Sequence, residues 1–316
     1  MRVFSAADLA KVLDYAPLIE RIDEFFRIGC TVPVRHHHHI DVPNEDGTTL
    51  LLMPAWREGD FIGVKVVTIF PGNLARSLPS VMGTYLILSG KTGRPLASMD
   101  GKELTVRRTG AASALASRYL SRADSRHLLM VGTGSLAPHM IRAHAATRPI
   151  DRVTIWGRTP KNAEALARSL AGSPFAVEVS RDLEPAVRAA DIVSCATLSV
   201  RPLVLGRWLK PGQHVDLVGG YRPDMREIDD DGIAMVSLYV DTRDGALKEG
   251  GDLTIPIGAG VITPRAVKGD LFDLARGTVN GRTRADDITL FKSVGTAVED
   301  LAAAALAAER LGAEVA

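Results

Sequence analysis

A chain of 316 residues is longer than one average domain, so two packed domains are expected. Apolar residues at 46% and charged residues at 24% match soluble globular proteins, which argues against disorder. Lys plus Arg (38) nearly equals Asp plus Glu (37), which leaves no overall field to gather nucleic acid or an anionic membrane, so neither is expected as a partner.

At the N-terminus, Asp8, Lys11 and Asp14 interrupt the apolar stretch that a secretion signal needs. Cys30 and Cys195 are too far apart and too few to form a disulfide framework, so a reducing, cytoplasmic location is expected. Leu9, Val12, Leu13, Ile19, Ile22, Phe25 and Phe26 recur mostly at helical spacing over residues 7–28, with Pro17 dividing two helices. From about 31 to 99 the pattern changes to short runs such as TLLLMPAW, FIGVKVVTIF and GTYLILSG between Gly, Pro and Asn turns, which predicts an antiparallel sheet. The run His36–His39 invites a metal reading. Alternate residues on a strand face opposite sides, however, and nothing else in the chain completes a ligand set, so no metal is expected.

Residues 103–121 follow as a connecting helix that ends before the charged break RADSR. Beyond it strands and helices alternate (HLLMV, PHMIRAHAA, VTIW, KNAEALARSLA, AVEVS, LEPAVRAA, DIVSCA, HVDLVG), the order of a parallel sheet with right-handed crossovers. Residues 286–312 read as one long helix that returns to the first domain. Its apolar run, LAAAALAA (301–308), lies between Asp300 and Glu309 and is far shorter than the ~20 residues that span a bilayer. The predicted fold class is therefore α/β. A Rossmann-type doubly wound parallel sheet covers residues 122–289, and a discontinuous α+β domain covers 1–121 and 290–316.

Gly132, Thr133, Gly134, Ser135, Leu136 and Ala137 directly follow the strand HLLMV and open the next helix, the setting that dinucleotide binding requires. Gly132 permits the tight turn, Gly134 lets the backbone approach a pyrophosphate, and Ala137 allows close helix packing. The second strand, VTIWGRT, ends without the Asp or Glu that would hold a free ribose 2′-hydroxyl. Arg158 and Thr159 stand there instead, so NADP(H) is favoured, with NAD(H) as the alternative.

The segments ITLFKSVGTAVEDLAAA (288–304), LTVRRTGAASALASRYL (104–120), VGTGSLAPH (131–139), WGRT (156–159) and GGYRPDMREID (219–229), in this order of specificity, resemble the ornithine cyclodeaminase and mu-crystallin family along essentially the whole chain. The resemblance implies a homodimer joined through the sheets of the two first domains. It also implies chemistry in which an α-imino acid exchanges hydride with a nicotinamide. The family includes ornithine and lysine cyclodeaminases, ketimine and pyrroline-2-carboxylate reductases, an alanine dehydrogenase branch and hydroxyproline dehydratases.

An α-carboxylate entering a water-poor cleft needs cationic partners. The resemblance places Arg35, Lys65 and Arg108 in that role, with Lys65 also catalytic. Lys65 is unusual inside the apolar strand FIGVKVVTIF. Thr68 and Thr109 can assist, Thr109 being grouped with the cofactor residues. Asp224 follows the strand HVDLVG at the carboxyl edge of the parallel sheet, and the resemblance makes it the proton donor to the substrate nitrogen, with a pKa tuned towards working pH. Ala196, Thr197 and Gly219, with Gly220, are placed on the nicotinamide side.

As aligned, the diamine-processing members carry an acidic residue near Leu51, where this chain is wholly apolar. That favours NAD(P)H-dependent reduction of a small cyclic α-imino acid of the pyrroline-2-carboxylate or piperideine-2-carboxylate type. Conversion of L-ornithine to L-proline and ammonia with bound NAD+ is the first alternative. A non-catalytic NADP(H)- and ligand-binding protein is the second.

Overall fold

The computed structural model describes residues 1–43, 45 and 47–313. The last three positions of the segment expected at 290–316 lie outside the described residues. Packing divides the chain into two compact units, Met1–Arg108 with Ala297–Ala316, and Thr109–Thr296.

The first unit opens with β1 (Arg2–Phe4), α1 (Ala6–Val12) and α2 (Tyr15–Ile28). Ser5 and Asp8 form a reciprocal capping box that fixes the start of α1. The break between the helices falls at Leu13 and Asp14, and Pro17 sits in the first turn of α2, where its missing N–H costs nothing. Five strands follow: β2 (His36–His39), β3 (Thr49–Trp56), β4 (Phe61–Ile69), β5 (Val81–Ser89) and β6 (Pro95–Asp100). They pair antiparallel in the order β6-β5-β4-β3-β2, as the turn-separated runs predict, and β1 adds in parallel at the β6 edge.

Next comes α3 (Gly101–Leu120), which crosses from the first unit to the second between Arg108 and Thr109. The sequence places this boundary at 121/122. It lies earlier because the second half of α3 packs within the second unit. Gly110 approaches the backbone of His139 so closely that an added Cβ would lie 2.9 Å from its carbonyl oxygen, and Arg148 donates to Ser121 Oγ and to the carbonyl of Ser117.

The second unit runs β7 (His127–Val131), α4 (Ala137–Thr147), β8 (Arg152–Trp156), α5 (Pro160–Ser169), β9 (Ala176–Val179), α6 (Leu183–Ala189), β10 (Ile192–Cys195) and β11 (His214–Leu217). It continues with α7 (Asp230–Met235), β12 (Ser237–Val240), α8 (Arg243–Glu249), α9 (Gly251–Gly258), β13 (Val267–Asp270), α10 (Leu271–Arg276) and β14 (Thr289–Lys292). All eight strands are parallel, in the order β13-β12-β14-β11-β10-β7-β8-β9. Strands β7, β10, β11 and β14 are buried along their whole length, as a sheet covered on both faces requires. The chain reverses direction across the sheet between β7 and β10, so a crevice opens there at the carboxyl ends.

Residues 289–292 correct the sequence reading, which made them part of a helix over 286–312. They form a central strand, β14, because the run TLFK is fully buried and pairs on both sides. The helix cannot start until Ala297. Asp241 accepts hydrogen bonds from Ser293 Oγ (3.0 Å) and from the N–H groups of Val294 (2.8 Å) and Gly295 (2.7 Å), and Gly295 adopts φ 82°.

The final helix, α11 (Ala297–Arg310), belongs to the first unit and packs against α2 and against strands β3, β4 and β5. Gly63 makes the contact close, since an added Cβ would meet Leu301 at 2.9 Å. Alternation along the strands places Met53, Lys65, Val67 and Tyr85 on this helix-covered face. The opposite face carries Leu52, Pro54, Val64, Val66, Leu86 and Leu88, all half-buried. Among the described residues no helix is long and apolar enough to cross a membrane.

Candidate active site

In the first unit, two buried cations meet two buried carboxylates. Lys65 Nζ lies 3.2 Å from both carboxylate oxygens of Asp300, and Arg108 Nε donates to Asp300 Oδ1 at 2.9 Å. The guanidinium of Arg108 also donates to Glu299 Oε2. Lys65 and Arg108 are 6% and 7% exposed, whereas Glu299 and Asp300 have no exposure, so any solvent access to the cluster is through the cations.

Burial pushes the Lys65 ammonium below its ordinary value, against the pull of Asp300. Burial alone would raise the Asp300 carboxyl, but Arg108 and Lys65 outweigh it and hold Asp300 below its ordinary value. Tyr85, on the strand beside Lys65, is driven well above its ordinary pKa by burial and by Asp300, so it stays a neutral phenol.

Glu299 and Asp300 were missed in the sequence, where Asp300 served only to bound an apolar run. The available signal was a pair of adjacent acids opening a helix that is otherwise alanine and leucine. Both sit in the first turn of α11, where the helix dipole favours negative charge.

The remaining expected residues of this unit are more scattered. Arg35 is half-buried and immediately precedes β2. Thr68 lies on β4 three residues after Lys65, so strand alternation puts it on the opposite face, beside Val66. Leu51 pairs with Val67 and Met53 with Lys65, so the face carrying Lys65 presents apolar side chains along β3. The histidines of β2 form an exposed edge, and His36 and His38 share one side with ring centroids 6.2 Å apart. No group that could hold a metal ion occurs among the described residues.

In the second unit, the turn after β7 has the form of a phosphate cradle. Gly132 adopts φ 118°, and an added Cβ would lie 2.6 Å from the carbonyl oxygen of Ala196, so this turn is pressed against the loop after β10. Gly134 is exposed with nothing within 4 Å of an added Cβ, and Ser135 beside it is also exposed. Leu136 and the buried Ala137 lead into α4, where the N–H groups of Ala137 and His139 donate to the carbonyls of Gly134 (3.1 Å) and Leu136 (2.9 Å) and Pro138 carries none, so the backbone of the turn itself, at the exposed Gly134 and Ser135, borders this space. These residues fit a dinucleotide pyrophosphate: close backbone where the turn must be tight, open space where an anion must approach.

Thr133 packs onto Gly157 at the end of β8, where an added Cβ would lie 2.7 Å from its methyl. Arg158 and Thr159 next to it are exposed, and Thr159 caps α5 without using its hydroxyl for the cap. Thr109, the first residue of the unit, is buried in α3.

Asp224 lies on the exposed loop after β11. Arg222 donates to it through Nε (3.0 Å) and a terminal nitrogen (2.8 Å), and this fork holds the carboxyl below its ordinary value. The shift is opposite to the tuning expected of a proton donor, so in this state Asp224 is an ionised, paired carboxylate. Ala196 and Thr197 follow β10 and Gly219 follows β11, and Thr197 and Gly219 are both bound to a residue that the sequence reading passed over. Glu227 is fully buried and accepts from Thr197 N (2.7 Å), Thr197 Oγ1 (2.8 Å) and Gly219 N (3.0 Å).

The model of the ornithine cyclodeaminase/mu-crystallin family matches residues 4–314. A Delta(1)-pyrroline-2-carboxylate reductase from Paracoccus denitrificans is 42% identical over 88% of this chain and 88% of its own length. A structure of the Thermococcus litoralis Delta(1)-pyrroline-2-carboxylate reductase in complex with NADH and L-proline superposes with a TM-score of 0.91 at 34% identity, covering 99% of this chain and 98% of that one. An archaeal alanine dehydrogenase dimer with bound NAD gives a TM-score of 0.89 at 27% identity, covering 98% of this chain and 95% of that one.

Proposed function

Because the chain belongs to the ornithine cyclodeaminase/mu-crystallin family, we propose that it is an enzyme that reduces a small cyclic α-imino acid, of the pyrroline-2-carboxylate or piperideine-2-carboxylate type, to the amino acid with NAD(P)H. The reductase activity named for the relatives supports this reaction class. The observation that carries the substrate class is the apolar face of β3. Leu51 and Met53 share the side of the sheet that holds Lys65, and neither could receive the distal ammonium of a diamine.

The cluster's charge is consistent with the same substrate. Lys65 and Arg108 are balanced by Glu299 and Asp300, so a zwitterionic iminium carboxylate adds no net charge to a buried site. In this reading Arg108 and Lys65 orient the substrate carboxylate, with Arg35 as a third cation. Asp224, once released from Arg222, delivers the proton to the ring nitrogen. A bound nicotinamide supplies the hydride. Thr133 to Leu136 hold its pyrophosphate, and Arg158 with Thr159 takes a 2′-phosphate, which makes NADPH the preferred donor over NADH. The enzyme works in the cytoplasm as a homodimer joined through the half-buried apolar sheet face of Leu52, Val64, Val66 and Leu86.

The test is nicotinamide oxidation with pyrroline-2-carboxylate and with piperideine-2-carboxylate. Turnover with either, at higher kcat/KM for NADPH than for NADH, is expected. Absence of turnover with both, alongside ammonia release from L-ornithine, would replace this reading with the cyclodeaminase.

A further inference from the structure

The carboxyl edge of the second unit's sheet is tied together by a buried carboxylate that neither the family resemblance nor the named relatives bring forward. Oxygen Oε1 of Glu227 takes both the N–H and the hydroxyl of Thr197, on the loop after β10, and Oε2 takes the N–H of Gly219, on the loop after β11. The loops have little freedom to part or approach. An added Cβ on Gly219 would lie 2.0 Å from the carbonyl oxygen of Thr197 and 2.4 Å from Glu227 Oε1, and one on Gly132 would lie 3.2 Å from the Thr197 methyl.

Glu227 is itself anchored from behind. Its N–H donates to Asp252 Oδ1 (2.7 Å) at the start of α9, and Asp252 Oδ2 lies 2.9 Å from Lys292 Nζ at the end of β14. All three side chains are fully buried. One carboxylate thus fixes the separation of the two loops assigned to the nicotinamide, with the phosphate turn packed on the same loop.

We propose that Glu227 is a positioning residue for hydride transfer: by pinning Thr197 to Gly219 it sets the depth and tilt at which the nicotinamide ring lies. This rests on the assignment of those loops to the cofactor. Its charge state matters, because protonation turns one of its oxygens into a hydroxyl, a weaker acceptor whose own O–H then needs a partner. Burial, reinforced by Asp252 and opposed by Lys292 and Thr197, brings the Glu227 pKa to about 7. The other titratable group beside it is the Cys195 thiol, which burial keeps protonated. The pinned arrangement is therefore strongest above neutrality and weaker below it.

The experiment uses the full-length protein with pyrroline-2-carboxylate and NADPH. Glu227→Gln keeps the shape but turns one acceptor into an N–H2 that opposes the Gly219 N–H. Thr197→Val removes the hydroxyl arm, together with the acceptor of the Ser199 N–H (3.3 Å), and serves if the Gln variant does not fold. In each, kcat is expected to fall by about 10-fold or more while the Kd for NADPH, set by the distant pyrophosphate and adenosine contacts, changes by less than about 3-fold. The kcat inflection near pH 7 is expected in the wild type and absent from Glu227→Gln. Unchanged kcat in both variants, or a fall in Glu227→Gln that leaves the pH profile as in the wild type, overturns the inference while leaving the cofactor assignment standing. Failure of the wild-type protein to bind either dinucleotide removes both.

Discussion

Asp300→Asn is the most informative single change, because both buried cations of the first unit converge on that carboxylate. At an effective dielectric of about 20, unit charges at 3.2 Å and 2.9 Å attract by roughly 5 and 6 kcal/mol. Dehydration of the ions offsets most of this, but stripping one partner from a buried pair costs ~3–5 kcal/mol, since the cations lose their counter-charge without regaining water. The first unit should lose that much unfolding free energy.

Urea denaturation followed by Trp56 fluorescence reads it in a background in which Trp156 and Trp208, both in the second unit, are replaced by Phe. The sign with pH is fixed. Asp300 titrates below its ordinary 3.8, so its contribution is complete above that value and is lost as pH falls through the lower native one. The difference between wild type and variant should therefore shrink under acid conditions. Adding Lys65→Met should cost less than the sum of the single changes by about 1–3 kcal/mol. Strict additivity, or a loss below about 1 kcal/mol for Asp300→Asn, would refute the charge-balance reasoning.

Gly134→Val, at an exposed site with free space around it, should leave Tm within about 2 °C yet weaken NADPH and NADH binding at least about 10-fold, as isothermal titration would report. Arg158→Ala should lower the NADPH-over-NADH preference in kcat/KM by about 10- to 100-fold, the worth of a charge-assisted contact; an unchanged ratio would remove Arg158 from the 2′-phosphate site. Asp224→Asn should depress kcat without altering dinucleotide affinity, and full activity would exclude it as proton donor. His214 is buried neutral with a pKa lowered to about 3, so the unfolded chain binds the extra proton and stability falls as pH drops from about 6.5. His214→Asn should flatten the urea-midpoint difference between pH 7 and pH 5, and an unchanged slope would contradict this.

What was legible in the sequence depended on local pattern. The run HLLMV followed by Gly132-Thr133-Gly134 located the tight turn between β7 and α4, because strand, turn and helix start are adjacent in the chain. Lys65 stood out as a charge in an apolar strand, and Arg108 was picked out by its place in a family motif. Their counter-charges did not stand out, because Glu299 and Asp300 come 191 to 235 residues later and acids at a helix start usually face water. Glu227 was hidden for the same reason within the charged run DMREIDDD. The strand Thr289–Lys292 was absorbed into the helix that follows it, since a short buried apolar run has no period of its own. Only its pairing with β11 and β12 distinguishes it.

The stoichiometry of a single reaction mixture containing the purified protein, NADPH and pyrroline-2-carboxylate, with L-ornithine plus NAD+ run beside it, separates imine reduction from cyclodeamination. An imino-acid reductase oxidises one NADPH for each L-proline formed and releases no ammonia from ornithine. Proline and ammonia from ornithine with no net change in the cofactor, and no NADPH oxidation with the imine, would contradict the reductase reading.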